Sequence, residues 1–203
     1  MTEFPNMAEI VPAGAKGVAS IFHQFLDGAA AASASYVGGR TIATPPGTYA
    51  FLYVKEQPGG NTCMMSDLSY ERDTCRDAVR RAHGHVLIAG LGLGMILHPI
   101  LRNPRVSSVT VIEKYQDVVD LIRPTLPASN KLSILVADIF AWAPPVGATY
   151  DAIWFDIWPD VLAERLREMA LLHERFAACL NRANPDCWMN SWHQRETLAL
   201  VAP

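Results

Sequence analysis

The chain has 203 residues, half of them hydrophobic and 18% charged, with a formal net charge of −3 and a mean hydropathy of +0.12. This composition excludes wholesale disorder, whose signature is low hydrophobicity with high net charge, and it suits one packed domain with a small appendage. Neither half of the chain is a basic arm, so the electrostatic footprint of a duplex reader is missing and no nucleic-acid partner is expected.

The start, MTEFPNMAEI, has neither the basic region nor the apolar region of a secretory signal. The longest apolar run, Val86 to Leu97, is too short to cross a bilayer. Cys63, Cys75, Cys179 and Cys187 form no CxxC pair, so neither a metal site nor a dithiol redox site is expected. Together these features predict a cytoplasmic protein with reduced thiols and no membrane partner.

Residues 1–47 are rich in Ala, Gly, Pro and Ser, and Gly28 to Ser35 is close to low complexity. Val18, Ile21, Phe22 and Phe25 follow helical spacing, which predicts a short amphipathic helix around 15–27. After Pro45-Pro46-Gly47, the aromatic and β-branched run Thr48 to Glu56 reads as a strand; Pro58-Gly59-Gly60-Asn61 turns the chain and Thr62 to Ser66 returns as a second strand. From Ser69 to Ala82, Cys75, Ala78, Val79 and Ala82 form an apolar stripe on a helix, with Ser66, Asp67 and Ser69 available as caps.

Strands and helices then alternate: strand 85–89, helix 95–102, strand 108–113, helix 116–123, strand 132–137, strand 150–156, helix 160–180 and strand 186–192. The strands are continuous apolar runs, as in a parallel sheet covered on both faces. The pattern predicts an α/β fold, a Rossmann-like doubly wound and mostly parallel sheet, with a small N-terminal β-hairpin and helix extension. The expected division is an arm and hairpin over 1–66 and a Rossmann-like cofactor-binding domain over 67–203.

Gly90-Leu91-Gly92-Leu93-Gly94 follows the apolar strand Val86 to Ala89 and precedes a helix. Glycines there permit a tight turn and a close approach of backbone amides to a ligand. The spacing GxGxG is not the dinucleotide GxGxxG, and no GxxxxGK[ST] occurs. Glu113 ends the second strand, about twenty positions beyond Gly92, where a carboxylate can accept hydrogen bonds from both ribose hydroxyls. Asp138 ends the third strand and Asp156 the fourth. One acid at a strand end is ordinarily a solvated group or a helix cap, but three in register with a glycine turn point to a common crevice.

The pieces MSDLSYERD at 65–73, VLIAGLGLG at 86–94, VTVIEKYQDVVDLI at 109–122, VADIFAW at 136–142 and YDAIWFDIWPD at 150–160 stand in an order that resembles the class I S-adenosylmethionine-dependent methyltransferase superfamily, in particular its spermidine-synthase-like branch. The resemblance implies that Gly90, Leu91, Gly92 and Gly94 lie against the amino-acid and ribose portion of S-adenosylmethionine. It places Glu113 on the ribose hydroxyls with Lys114 beside it, and Asp138 and Ile139 at the adenine. It sets Asp156 at the reacting sulfonium as the catalytic acid/base, and makes Asp67, Glu71, Trp158 and Asp160 candidates for the substrate.

Aminopropyl-transferring members carry an acid inside the glycine turn, where this chain has Leu93, and end the fourth strand in D-x-x-D, where this chain spaces Asp156 and Asp160 one residue further apart. The expected function is therefore methyl transfer to a small molecule or a protein side chain. Aminopropyl transfer from decarboxylated S-adenosylmethionine and non-catalytic binding of a nucleoside cofactor are the alternatives. After Trp192 too few residues remain for the superfamily's last helix and strand pair. This predicts a sheet shortened at its C-terminal edge, with that edge covered by the N-terminal arm or by the second subunit of a homodimer.

Overall fold

A computed structural model describes residues 4–27, 36–37, 40–56 and 60–200. In chain order the elements are α1 (Met7–Ile10), β1 (Gly14–Lys16), β2 (Ala19–Leu26), β3 (Tyr36–Val37), β4 (Arg40–Thr41), β5 (Gly47–Glu56), β6 (Gly60–Ser66), α2 (Ser69–Thr74), α3 (Arg76–Arg81), β7 (Gly84–Ala89), α4 (Leu97–Arg102), β8 (Val106–Glu113), α5 (Gln116–Ile122), β9 (Leu132–Val136), β10 (Ala152–Phe155), α6 (Arg165–Phe176), β11 (Trp188–Ser191) and α7 (Gln194–Ala199). The low-complexity stretch at 28–35 and most of the hairpin turn lie outside the described residues.

Five strands form a parallel sheet in the order β9-β8-β7-β10-β11. The chain winds outward from β7 in both directions, so the switch point of a Rossmann-like α/β fold lies between β7 and β10. Successive side chains of a strand point to opposite faces, and the two buried clusters obey that rule. Val86 and Ile88 join Leu97, Ile100 and Val118 on one face, while Leu87 and Ala89 join Met169, Leu172 and Phe176 on the other. Each such fully buried aliphatic or aromatic side chain contributes about 1.5–3 kcal/mol. β9 departs from the expected two-sided burial: as an edge strand it leaves Leu135 and Val136 exposed.

The expected helix over 15–27 is not formed. This segment is the strand pair β1 and β2, and β2 lies antiparallel to β5 from Ala19 opposite Val54 to Leu26 opposite Gly47. Ala19 and Ile21 are buried, whereas Phe22 and Phe25 are exposed, so the apolar spacing that suggested a helix stripe faces no common core. With β6 these strands make an antiparallel sheet ordered β1-β2-β5-β6, in which β5 and β6 are the predicted hairpin. The helix expected over 69–82 is broken at Cys75 into α2 and α3, and Leu68, not a Ser or Asp side chain, occupies its N-cap position.

The N-terminal sheet is tied to α5. Lys16 Nζ lies 2.5 Å from Asp120 Oδ2, and the Val18 N–H donates to Asp117 Oδ2 at 2.9 Å. α5 packs on β8 and β9, so these ties hold the arm on that side of the sheet and not over β11, which is bordered by β10 and α6. The expected cover of the β11 edge by the arm is therefore absent among the described residues. The short α7 follows β11 and packs on α6. No helix of the described residues is long and apolar enough to cross a membrane.

Candidate functional site

Strand register gathers the strand-end residues at one edge. Ala89 pairs with both Ile112 and Phe155, Glu113 pairs with Val136, and Phe155 pairs with Ser191. The residues that follow, Gly90, Asp138, Asp156 and Trp192, therefore surround one cavity of about 290 Å³ beyond the carboxyl ends of the strands, with Glu113 on its wall. The hairpin covers it from above through Leu52, Val54, Met64 and Met65, and α2 contributes Glu71.

The glycine turn has the left-handed backbone that glycine alone adopts cheaply, with φ of +95° at Gly90 and +53° at Gly92. A Cβ at Gly90 would strike the carbonyl oxygen of Asp156, so this glycine is what lets β7 and β10 end side by side. Gly90, Leu91 and Gly92 line the cavity. Gly94, expected at the cofactor, does not line the cavity, and a Cβ there would meet Leu126 and Ile122 at the end of α5.

Glu113 is buried, and its two carboxylate oxygens accept the Leu91 N–H at 2.8 Å and the Tyr115 N–H at 2.9 Å. Burial raises its pKa, and the hydrogen bonds from Tyr115 and Leu91 oppose that shift. Lys114 lies at the rim, 3.5 Å from Glu56 Oε1 and 5.2 Å from the Tyr115 ring centre. Asp138 caps its own turn by accepting the Phe140 N–H at 2.9 Å. Arg175 of α6 holds the same turn through the carbonyls of Ile139, Phe140 and Trp142, which fixes the buried Ile139 against the cavity.

Asp156 is partly buried beside a tryptophan and a thiol. Trp154 Nε1–H donates to its Oδ2 at 3.3 Å and the buried Cys75 Sγ–H approaches the same oxygen at 3.7 Å. Loss of solvent pushes the Asp156 pKa up to about 6, against the opposing hydrogen bonds from Trp154 and Cys75. Glu71 is pushed further, to about 8, first by burial and then by the charge of Asp156. The cavity thus holds two carboxyls with separated proton affinities, the arrangement expected of an acid/base pair.

Two of the substrate candidates are engaged elsewhere. Asp67 is fully buried outside the cavity, where its carboxylate accepts the Met7 and Ala50 N–H groups at 2.7 and 2.8 Å and pairs with Arg72 at 3.0 Å. Asp160 does not line the cavity either; it binds Arg165 Nε and NH2 at 2.8 and 3.0 Å, and it precedes α6, which runs over Arg165–Phe176 and not over the expected 160–180. Trp158 does line the cavity, with its Nε1–H donated to Glu168 Oε2 at 2.6 Å. Arg165 and Glu168 also line it and lie outside the quoted pieces, and so do Met65 and Tyr115, which stand inside the pieces at 65–73 and 109–122 but were not singled out there. Trp192 reaches it too, held by a hydrogen bond from its Nε1 to Thr74 Oγ1 at 3.1 Å.

No family model and no curated protein matches the chain. Solved structures that resemble it include the N-methyltransferase NodS from Bradyrhizobium japonicum WM9, with 16% identity and a TM-score of 0.44 over 56% of this chain and 64% of that one. Others are the plantazolicin methyltransferase BpumL in complex with SAH, with 16% identity and a TM-score of 0.39 over 54% of this chain and 41% of that one, and a dimethyladenosine transferase from Plasmodium falciparum, with 19% identity and a TM-score of 0.35 over 42% of this chain and 30% of that one. The chain spans less than two thirds of the length of each of these structures.

Proposed function

We propose that the chain is an S-adenosylmethionine-dependent methyltransferase. The observation that carries this reading is the convergence of the Gly90–Gly92 turn, Glu113, Asp138 and Asp156 on one cavity at the switch point of the sheet. The donor set fits the cofactor: Gly90 and Gly92 present bare backbone to the cavity, and the two strand-end carboxylates Glu113 and Asp138 on its lining are acceptors for ribose and adenine donors.

When bound, the sulfonium would supply an activated methyl carbon open to in-line attack by a nucleophile, with the thioether of S-adenosylhomocysteine as the leaving group. The chain's own contribution is alignment, which can supply about 7–11 kcal/mol of barrier lowering, together with removal of the acceptor's proton by Asp156. The buried Trp154 and Cys75 limit water around that carboxylate. The acceptor is a protic N–H or O–H group of a small molecule or a protein side chain entering the cavity. Methyl transfer is favoured over aminopropyl transfer because Leu93 is fully buried and offers no charge to an amine at the glycine turn.

Calorimetric titration with S-adenosylhomocysteine tests the reading, with one-site binding expected. A folded protein that takes up neither this compound nor S-adenosylmethionine overturns it.

A further inference from the structure

Met65 occupies the glycine turn. Its Sδ accepts the Leu93 N–H at 3.3 Å, and it fills the notch above Gly92, where any Cβ would collide with the sulfur. The turn's other hydrogen bonds are made to oxygen: Gly90 N–H to the Ile112 carbonyl, Leu91 N–H to Glu113, and Gly94 N–H to the Leu91 carbonyl. A thioether is a weak acceptor, so the Leu93 amide is the donor most easily surrendered to a better partner.

The placement of Met65 is built by the hairpin. Leu52 pairs with Met65 but Tyr53 pairs with Cys63, so Met64 is an extra residue in β6 and the strand bends at that bulge. The bend aims Met65 down into the cavity, next to the end of β6. The resulting space of about 290 Å³ lies at the lower limit of ligand pockets, which run from about 300 to 1,000 Å³. Methionine is unbranched and turns about three side-chain bonds, so it can leave without moving the sheet.

We infer that Met65 is a displaceable occupant of the cofactor cradle: its thioether holds the Leu93 amide in the free protein and withdraws when a ligand with an oxygen acceptor takes that amide. The inference rests on the proposal that the cavity receives S-adenosylmethionine. Displacing the sulfur subtracts from the observed affinity, since only the withdrawn form is competent to bind. Met65→Ala is expected to bind S-adenosylhomocysteine about two- to tenfold more tightly, the range set by one modest hydrogen bond.

The test combines calorimetry with methyl spectra of protein labelled at its seven methionine methyl groups. The Met65 resonance is identified as the one lost in Met65→Leu, a change of similar volume that preserves the fold. Saturation of the wild-type protein with S-adenosylhomocysteine should shift that resonance, and Met65→Ala should bind more tightly. An unmoved resonance in wild-type protein that does bind overturns the inference while leaving the cofactor reading intact, and so does equal or weaker binding by a folded Met65→Ala. If neither wild type nor folded Met65→Ala binds, both proposals fail. Should the alanine variant not fold, the wild-type resonance decides alone.

Discussion

Glu113 Oε2 accepts the Leu91 N–H at 2.8 Å, so the acid that ends β8 holds down the glycine turn that follows β7. The same carboxylate also receives Tyr115 N–H at the start of α5. Glu113→Ala leaves both amides without that acceptor, and one unsatisfied buried group costs about 1–3 kcal/mol. Urea unfolding should show a loss of at least that size, and calorimetry should show weaker binding of S-adenosylhomocysteine. An unchanged urea midpoint would mean that the carboxylate does not anchor the turn.

The Glu71 and Asp156 carboxyls set a pH window for turnover. Asp156 must lose its proton to act as a base, so the rate should rise through about pH 6. Glu71 ionises near 8, placing a second negative charge beside Asp156, so the rate should fall above that value. The two apparent values belong to the pair, not to either residue alone. Asp156→Asn should lower the rate by about 100-fold or more with little change in cofactor affinity, and Glu71→Gln should remove the alkaline fall. A rate that stays level from pH 5 to 9 (about one unit beyond each apparent value) contradicts this assignment.

The same shifts govern stability with the opposite lean from ordinary carboxylates. Each group has a higher pKa folded than unfolded, so the folded state binds more protons. Their contribution is complete below the unfolded values near 4 and is lost as pH rises through about 6 for Asp156 and about 8 for Glu71. Urea midpoints should therefore fall between pH 5 and pH 9, and Glu71→Gln should flatten the upper part of that fall. A wild-type slope retained in Glu71→Gln would assign the effect to other groups.

The parallel sheet was legible in the sequence because its central strands are buried on both faces and read as unbroken apolar runs such as Val86 to Ala89 and Ala152 to Phe155. The strand-end acids were legible for the same reason: each run stops at a fixed place, and register aligns the stops. The segment 19–26 was not, since Val18, Ile21, Phe22 and Phe25 satisfy a helical period while the strand assignment depends on β5, a partner distant in sequence. Asp67, Asp160 and Gly94 carried plausible local patterns, but long-range neighbours, Met7, Ala50 and Leu126 among them, decided what two of the three do. Met65 heads the piece at 65–73, but its reach to the glycine turn had no local signal because the bulge at Met64 that aims it exists only in the paired hairpin.

Asp67 joins three separate pieces of the chain and is the residue through which the N-terminal sheet depends on α2. Its Oδ1 receives Ala50 N–H of β5, and its Oδ2 receives Met7 N–H of α1 together with Arg72 NH2 of α2. The carboxylate has no exposure, whereas the Arg72 side chain retains 23%, so removing the acid strands two buried amides and a mostly buried cation. Breaking a buried pair from one side costs about 3–5 kcal/mol. Asp67→Ala should lose a stability of that order in urea unfolding, while the fraction that remains folded binds S-adenosylhomocysteine as the wild type does, because Asp67 lies outside the cavity. The paired change Asp67→Asn with Arg72→Met should recover part of the loss, since it removes the stranded charge and returns an oxygen acceptor to one amide. If Asp67→Ala instead keeps its stability and loses only ligand affinity, the carboxylate belongs to the site and not to the scaffold.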